Sequence, residues 1–150
     1  MASVAPDRTQ MTSTPSTILI VDDEHSLLSL MGRDLQEQGF TVLKASSGEE
    51  ALHHCQRYVG PIHLLLADIF LPAEDQPSTN DSQTPSVHGL DLARQVTALR
   101  PHIQVLLISG RTDEEIFSLG GIKPGTPFLK KPFSSDTLIR KVREVLNVTQ

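Results

Sequence analysis

"ILIVDDE", residues 18–24, runs four aliphatic side chains straight into three acids. A short unbroken aliphatic run reads as a strand covered on both faces. A second stretch has the same shape: in "LLLADIFLP", residues 64–72, an apolar run meets Asp68. A strand made for a dry core has no packing use for a carboxylate at its tip. The two stretches therefore point to one sheet and to one site beyond its strand ends.

The rest of the chain alternates in the same way. Residues 25–38 place Leu27, Leu28, Met31 and Leu35 at helical spacing, with Gly39 as a stop. Phe40–Ala45 predicts a second strand. Ser47 and Glu50 of "SGEE" have capping-box spacing, ahead of a helix that carries Ala51, Leu52 and Cys55. Ile62–Ala67 predicts the third strand. Gly89–Leu99 predicts a helix with Leu92, Val96 and Leu99 on one stripe, stopped at Pro101. Val105–Ile108 is the fourth strand, 113–119 a short weak helix, and Phe128–Leu129 a brief fifth strand. Ser135 or Asp136 is expected to cap a last helix with a wide apolar stripe from Leu138 to Leu146. Five strand–helix units predict an α/β fold: a doubly wound five-stranded parallel sheet, flavodoxin-like, in the order 2-1-3-4-5.

Bulk properties narrow the function. A chain of 150 residues suits one domain, large enough to bury a core without disulfides or structural metals. A net charge of −5 gives no reason to expect nucleic acid or an anionic membrane as partner. No apolar run reaches the roughly 18 residues of a membrane span. The lone Cys55 has no internal disulfide partner, which favours a reducing, cytoplasmic setting. Residues 1–16, with their Ser, Thr and Pro, lack the apolar core of a secretory signal and predict a disordered tail. His53 and His54 are adjacent on a helix, and His25, His63, His88 and His102 lack ligand spacing, so a zinc site is not expected.

Residues 73–88, "AEDQPSTNDSQTPSVH", break the rhythm. Connections between strands and helices in such folds are usually about 2–6 residues long. The segment holds Glu74, Asp75 and Asp81 but no Lys or Arg. Its composition supplies no apolar anchor, which favours a tolerated insertion over a lid or docking loop.

In open parallel sheets, ligands bind beyond the carboxyl ends of the strands, where the strand order reverses. In this order, that point lies between strands one and three. Asp22 and Asp23 end the first and Asp68 ends the third, so three carboxylates should converge. Like charges in a partly buried crevice require a proton or a cation among them. Mg2+, with Mn2+ as the alternative, fits a site of oxygen ligands that also accepts phosphate oxygens. Ser109 closes strand four and Lys131 follows strand five in "FLKKPF". A hydroxyl and an ammonium there can meet phosphoryl oxygens, and a carboxylate can accept the phosphoryl group itself. Asp68 is the expected acceptor. Singly, Asp23 or Glu24 could be a helix cap, Ser109 a turn residue and Lys131 a solvated strand end. Together, at four strand ends, they are poorly explained that way.

These four motifs resemble those of the receiver domains of two-component response regulators. The resemblance runs from about Thr17 to Leu146 and defines a domain over 17–148 with its long inserted loop at 73–88. It implies phosphorylation of Asp68 by a histidine kinase or histidine phosphotransfer protein. It implies that Asp23 and Asp68 bind Mg2+ with the backbone carbonyl of Phe70, assisted by Asp22. Ser109 and Phe128 would be the switch residues, and the face of the fourth helix, fifth strand and fifth helix would change its affinity for an unknown downstream protein. The chain would be a monomer or a weak phosphorylation-dependent dimer, with self-phosphorylation and autodephosphorylation as its only catalysis. Both a stand-alone receiver and a domain of a hybrid kinase fit. The alternatives are a phosphorylation-independent interaction module and a small aspartyl-phosphate phosphotransferase. The latter would want an acid at position 70.

The chain departs from the family pattern in four places, one of them the glycine-rich "SLGGIKPGTPF" where a firmer fourth helix is common. The glycine that usually follows a short loop after Pro72 comes only at Gly89. Phe128 lacks a tyrosine hydroxyl. Phe70 is bulky and apolar. Phe70 and Arg111, each two residues past a site residue, are expected to flank the phosphoryl position and to slow attack by water.

Overall fold

The structure is a computed structural model, and it describes residues 15–70, 88–110 and 126–147. In chain order the elements are β1 (Thr17–Val21), α1 (His25–Glu37), β2 (Thr41–Ala45), α2 (Gly48–Arg57), β3 (Leu64–Asp68), α3 (His88–Leu99), β4 (Gln104–Ser109), β5 (Phe128–Lys130) and α4 (Ser135–Asn147). The five strands form one sheet in the order β2-β1-β3-β4-β5. Every adjacent pair is parallel. The expected architecture is therefore the observed one. Pro72, Arg111, most of the inserted segment, the helix expected over 113–119 and nearly all of the expected tail lie outside the described residues.

The aliphatic runs form strands because both faces are covered. Ile18, Ile20, Leu64, Leu66, Leu106 and Ile108 face one side, where Leu28, Met31 and Leu35 of α1 and Leu138, Val142 and Val145 of α4 close over them. Leu19, Val21, Leu65 and Ala67 face the other side, under Ala51 and Cys55 of α2 and Leu92 and Val96 of α3. Burying one such side chain contributes about 1.5–3 kcal/mol. A one-residue slip of β1 or β3 would exchange the two sets of neighbours. The register, Ile18 opposite Leu64 through Val21 opposite Ala67, is thus strongly specified. It also brings the two acidic strand ends side by side.

Several boundaries differ from expectation, each for a local reason. β3 begins at Leu64 rather than Ile62. Ile62 is buried, but its side chain serves the cluster under α2 and α3 and lies before the ladder. α1 ends at Glu37, and Gly39 takes a positive φ of 97°, a conformation that a side chain disfavours. The cap of α4 is Ser134, whose Oγ accepts from the Thr137 N–H at 3.1 Å, and not Ser135 or Asp136. At α2 the Ser47 Oγ accepts from Glu50 N–H as expected. The returning bond differs: Glu50 Oε1 accepts from Ser46 N–H, one residue earlier than in a standard capping box. Cys55 is a buried core thiol, as its place on the apolar face implied.

One long-range contact ties the amino edge of the sheet. The Arg100 guanidinium donates to the carbonyl oxygens of Cys55, Tyr58 and Gly60. It thereby satisfies the end of α2 and fixes the turn into β3.

Candidate functional site

Side chains alternate along a strand, so residues two apart share a face. Asp22 continues the stripe Ile18–Ile20, and Asp68 continues Leu64–Leu66. Lys131 follows Leu129, which packs on the same side. The three polar side chains thus inherit their direction from the core stripe that precedes them. Ser109 has the parity of Leu107, on the opposite side, and Leu107 is the β4 partner of Phe128.

The carboxyl ends meet as the strand order required. One carboxylate oxygen from each of Asp22, Asp23 and Asp68 lies within 4.8 Å of the others. Asp22 is fully buried and Asp68 nearly so, whereas Asp23 is exposed. Lys131 Nζ donates to Asp68 Oδ2 at 2.8 Å and lies 3.3 Å from Asp22 Oδ2. Asp68 Oδ1 accepts from the Phe70 N–H at 2.8 Å, and Asp22 Oδ1 accepts from the Glu24 N–H at 2.9 Å. The backbone at both tips therefore turns over its own carboxylate. Neither Asp23 nor Glu24 caps α1 through its side chain: Glu24 holds the cap position and makes no side-chain cap bond.

One atom is left over. Asp22 Oδ2 is buried and has no hydrogen-bond partner among the described residues. Its 3.3 Å approach to Lys131 is an ion pair without hydrogen-bond alignment. Burial pushes the Asp22 carboxyl above its ordinary pKa, against the pull of the Glu24 N–H and the Lys131 charge, and the neighbouring Asp68 charge adds to the rise. At Lys131 burial pushes the other way. The hydrogen bond to Asp68 and the charges of Asp68 and Asp22 more than reverse it, so its pKa is raised and the ammonium is held charged. One ammonium, paired with two of the three carboxylates, leaves the cluster short of positive charge among the described residues. An orphaned buried oxygen beside two further carboxylates, all hard donors, fits a divalent cation of the Mg2+ type.

Of the other expected site residues, Ser109 is fully buried at the end of β4. It lies one position beyond Ile108, the Cα partner of Asp68. Its carbonyl accepts from the Lys131 N–H at 2.9 Å, and the Lys131–Pro132 bond is cis. Phe128 opens β5 and is partly buried. Phe70 is also partly buried, and its ring packs against a small cluster of Ile69, Leu90 and Leu107. Arg111 is outside the described residues.

Gly89 gains a reason that its spacing alone did not give. Its N–H donates to the Ile69 carbonyl at 3.0 Å. A Cβ at this position would collide with the Asp68 carbonyl oxygen and lie 2.7 Å from Ile69 Cα. Only glycine lets α3 begin directly against the backbone of the acceptor strand. The late glycine therefore closes the connection where a short loop would have ended.

A doubly wound sheet with an acid triad and a lysine at its switch point defines a receiver-type fold. Comparison with known proteins agrees. The sequence profile described as response regulator receiver domain matches residues 18–76. A response regulator receiver protein from Sinorhizobium medicae superposes with a TM-score of 0.69 at 31% identity, covering 91% of this chain and 98% of that one. Sensor kinase CckA of Brucella abortus is 29% identical over 134 residues, 89% of this chain and 13% of that protein. The transcriptional regulatory protein AruR of Pseudomonas aeruginosa is 30% identical over 133 residues, 86% of this chain and 48% of that protein. The chain belongs to the response regulator receiver family and is a receiver domain of a two-component system. It spans about half, or less, of the length of the curated relatives it matches. No helix among the described residues is long and apolar enough to cross a membrane.

Proposed function

We propose that this receiver accepts a phosphoryl group on Asp68 from the phosphohistidine of a histidine kinase or histidine phosphotransfer protein. The observation that carries the proposal is the convergence of Asp22, Asp23 and Asp68, with a buried Asp22 oxygen that accepts no hydrogen bond among the described residues and with Lys131 at 2.8 Å from Asp68. Receiver domains are regulatory, and the only chemistry required is transfer to this side chain and its later loss.

Asp22, Asp23 and Asp68, with the Phe70 carbonyl, would hold the Mg2+, which supplies charge neutralisation for the incoming phosphoryl oxygens. The chain's own part follows from its geometry. The Phe70 N–H and Lys131 fix the two oxygens of Asp68 and so orient the nucleophile. A carboxylate oxygen attacks phosphorus. The phosphorus–nitrogen bond of the donor breaks, and its electron pair returns to the imidazole, which takes up a proton. Lys131 and Ser109 then meet oxygens of the acyl phosphate. Water attack at phosphorus releases inorganic phosphate and restores the carboxylate. Between these events the added charge biases the face that includes β5 and α4 toward a different partner affinity.

Intact-mass measurement with acetyl phosphate and Mg2+ tests this proposal. One phosphoryl group is expected on the parent and none on Asp68→Asn. An adduct retained in Asp68→Asn, or no adduct on the parent, rejects it.

A further inference from the structure

We propose that Phe70 is a positioning residue that couples the Asp68 carboxylate to the ring of Phe128. The inference rests on phosphorylation at Asp68 and adds the route by which that event reaches β5.

Phe70 touches both ends of the route. Its N–H is the donor that holds Asp68 Oδ1 at 2.8 Å. Its ring packs against Ile69, Leu90 and Leu107, the same cluster against which Phe128 packs. Leu107 and Phe128 are also Cα partners across β4 and β5. The cluster thus takes one side chain from each of three segments: the exit of β3, the start of α3 and the end of β4. Gly89 and the Ile69 carbonyl clamp the first two together immediately beside Leu90.

A packed cluster of this kind shifts between discrete arrangements and resists gradual deformation. Phosphorylating Asp68 converts a charged carboxylate into an acyl phosphate, a mixed anhydride. The acceptor for the Phe70 N–H changes in charge and place, and a charge-assisted hydrogen bond is among the stronger ones. The Phe70 backbone follows its acceptor, its ring follows the backbone, and the cluster passes the displacement to Phe128. The half-buried Phe70 ring thus has a place in the cluster of Ile69, Leu90 and Leu107.

The test places 4-fluorophenylalanine at position 128 of the full chain and reads its fluorine resonance before and after acetyl phosphate with Mg2+. Intact mass gives the phosphorylated fraction in each sample. In the parent background the resonance should move on phosphorylation. In Phe70→Ala that movement should fall by at least half at equal phosphorylated fraction, and in Phe70→Leu, which keeps an apolar side chain in the cluster, most of it should return. A merely structural role would offset the resonance of Phe70→Ala equally in both states and leave the difference between them at its parental size. That result, or a Phe70→Leu response as weak as that of Phe70→Ala, overturns the proposal. Absence of the phosphoryl adduct on the parent would instead reject the underlying function, and is told apart by mass.

Discussion

Two partly or wholly buried charged groups, Arg100 before the amino ends of the strands and Asp22 beyond their carboxyl ends, are treated in opposite ways. Arg100 spends its donors on three carbonyl oxygens, and every one of its contacts is local to the joint between α2, α3 and the turn into β3. Asp22 spends one oxygen on the Glu24 N–H and leaves the other buried, in a 3.3 Å ion pair with Lys131 but with no hydrogen bond among the described residues. Leaving a buried polar atom unpaired costs about 1–3 kcal/mol. A satisfied buried charge is explained by the fold it stabilises. An unsatisfied one is a cost that the fold alone does not recover, so it marks the place where something else binds.

The contrast can be broken at four points. The largest effect is chemical: Asp68→Asn should abolish the acetyl phosphate adduct entirely in intact-mass spectra, with little change in folding. Arg100→Ala should do the reverse. It should lower unfolding stability by about 2–3 kcal/mol in urea titration, since several charge-assisted bonds go at once, while the folded fraction still takes one phosphoryl group. Gly89→Ala should stand between the two cases in kind. A Cβ there pushes α3 off the acceptor strand, costing about 2 kcal/mol by overpacking and slowing phosphorylation as well.

Asp22→Asn gives the smallest change, and its sign is the informative part. The folded-state pKa of Asp22 is raised, so ionising it costs stability at every pH above that value. Without Mg2+, the Asn variant should be more stable than the parent near neutral pH, by about 1 kcal/mol. That gap should begin to close as the pH falls below the raised folded-state pKa of Asp22 and should vanish below its ordinary, unfolded-state pKa. Adding Mg2+ should stabilise the parent more than the variant. Unfolding curves with and without the ion check all three statements, and a variant less stable than the metal-free parent at neutral pH would count against the orphaned-oxygen argument.

Much of the sheet was legible because its strands are aliphatic on both faces, and burial on both faces leaves a continuous run. The carboxylates were legible because they end such runs. Ile62 misled for the same reason that Leu64 did not: an apolar residue reports burial and cannot say whether its backbone is in the ladder. The α4 cap was ambiguous because hydroxyl or acid side chains occupy three successive positions, Ser134, Ser135 and Asp136, and only the geometry selects one. Asp22 and Asp23 looked alike as neighbours, yet strand alternation buries the first and exposes the second. Arg100 left no trace in sequence, since its carbonyl partners lie 40 or more positions away. The packing of Phe70 and Phe128 on one cluster was invisible too, because it depends on where α3 starts.

That start has a consequence for how this domain can be lengthened. The chain departs after Phe70 and is back in place at Gly89, where a single backbone hydrogen bond to Ile69 staples outgoing and incoming segments together. Lengthening the connection between those stapled ends raises the entropy of closing it by only about 0.6 kcal/mol per doubling in length. On closing entropy alone, a peptide tag or small reporter inserted between these two ends would be tolerated, and the stapled ends would hold its attachment points beside the β3 exit that carries Asp68.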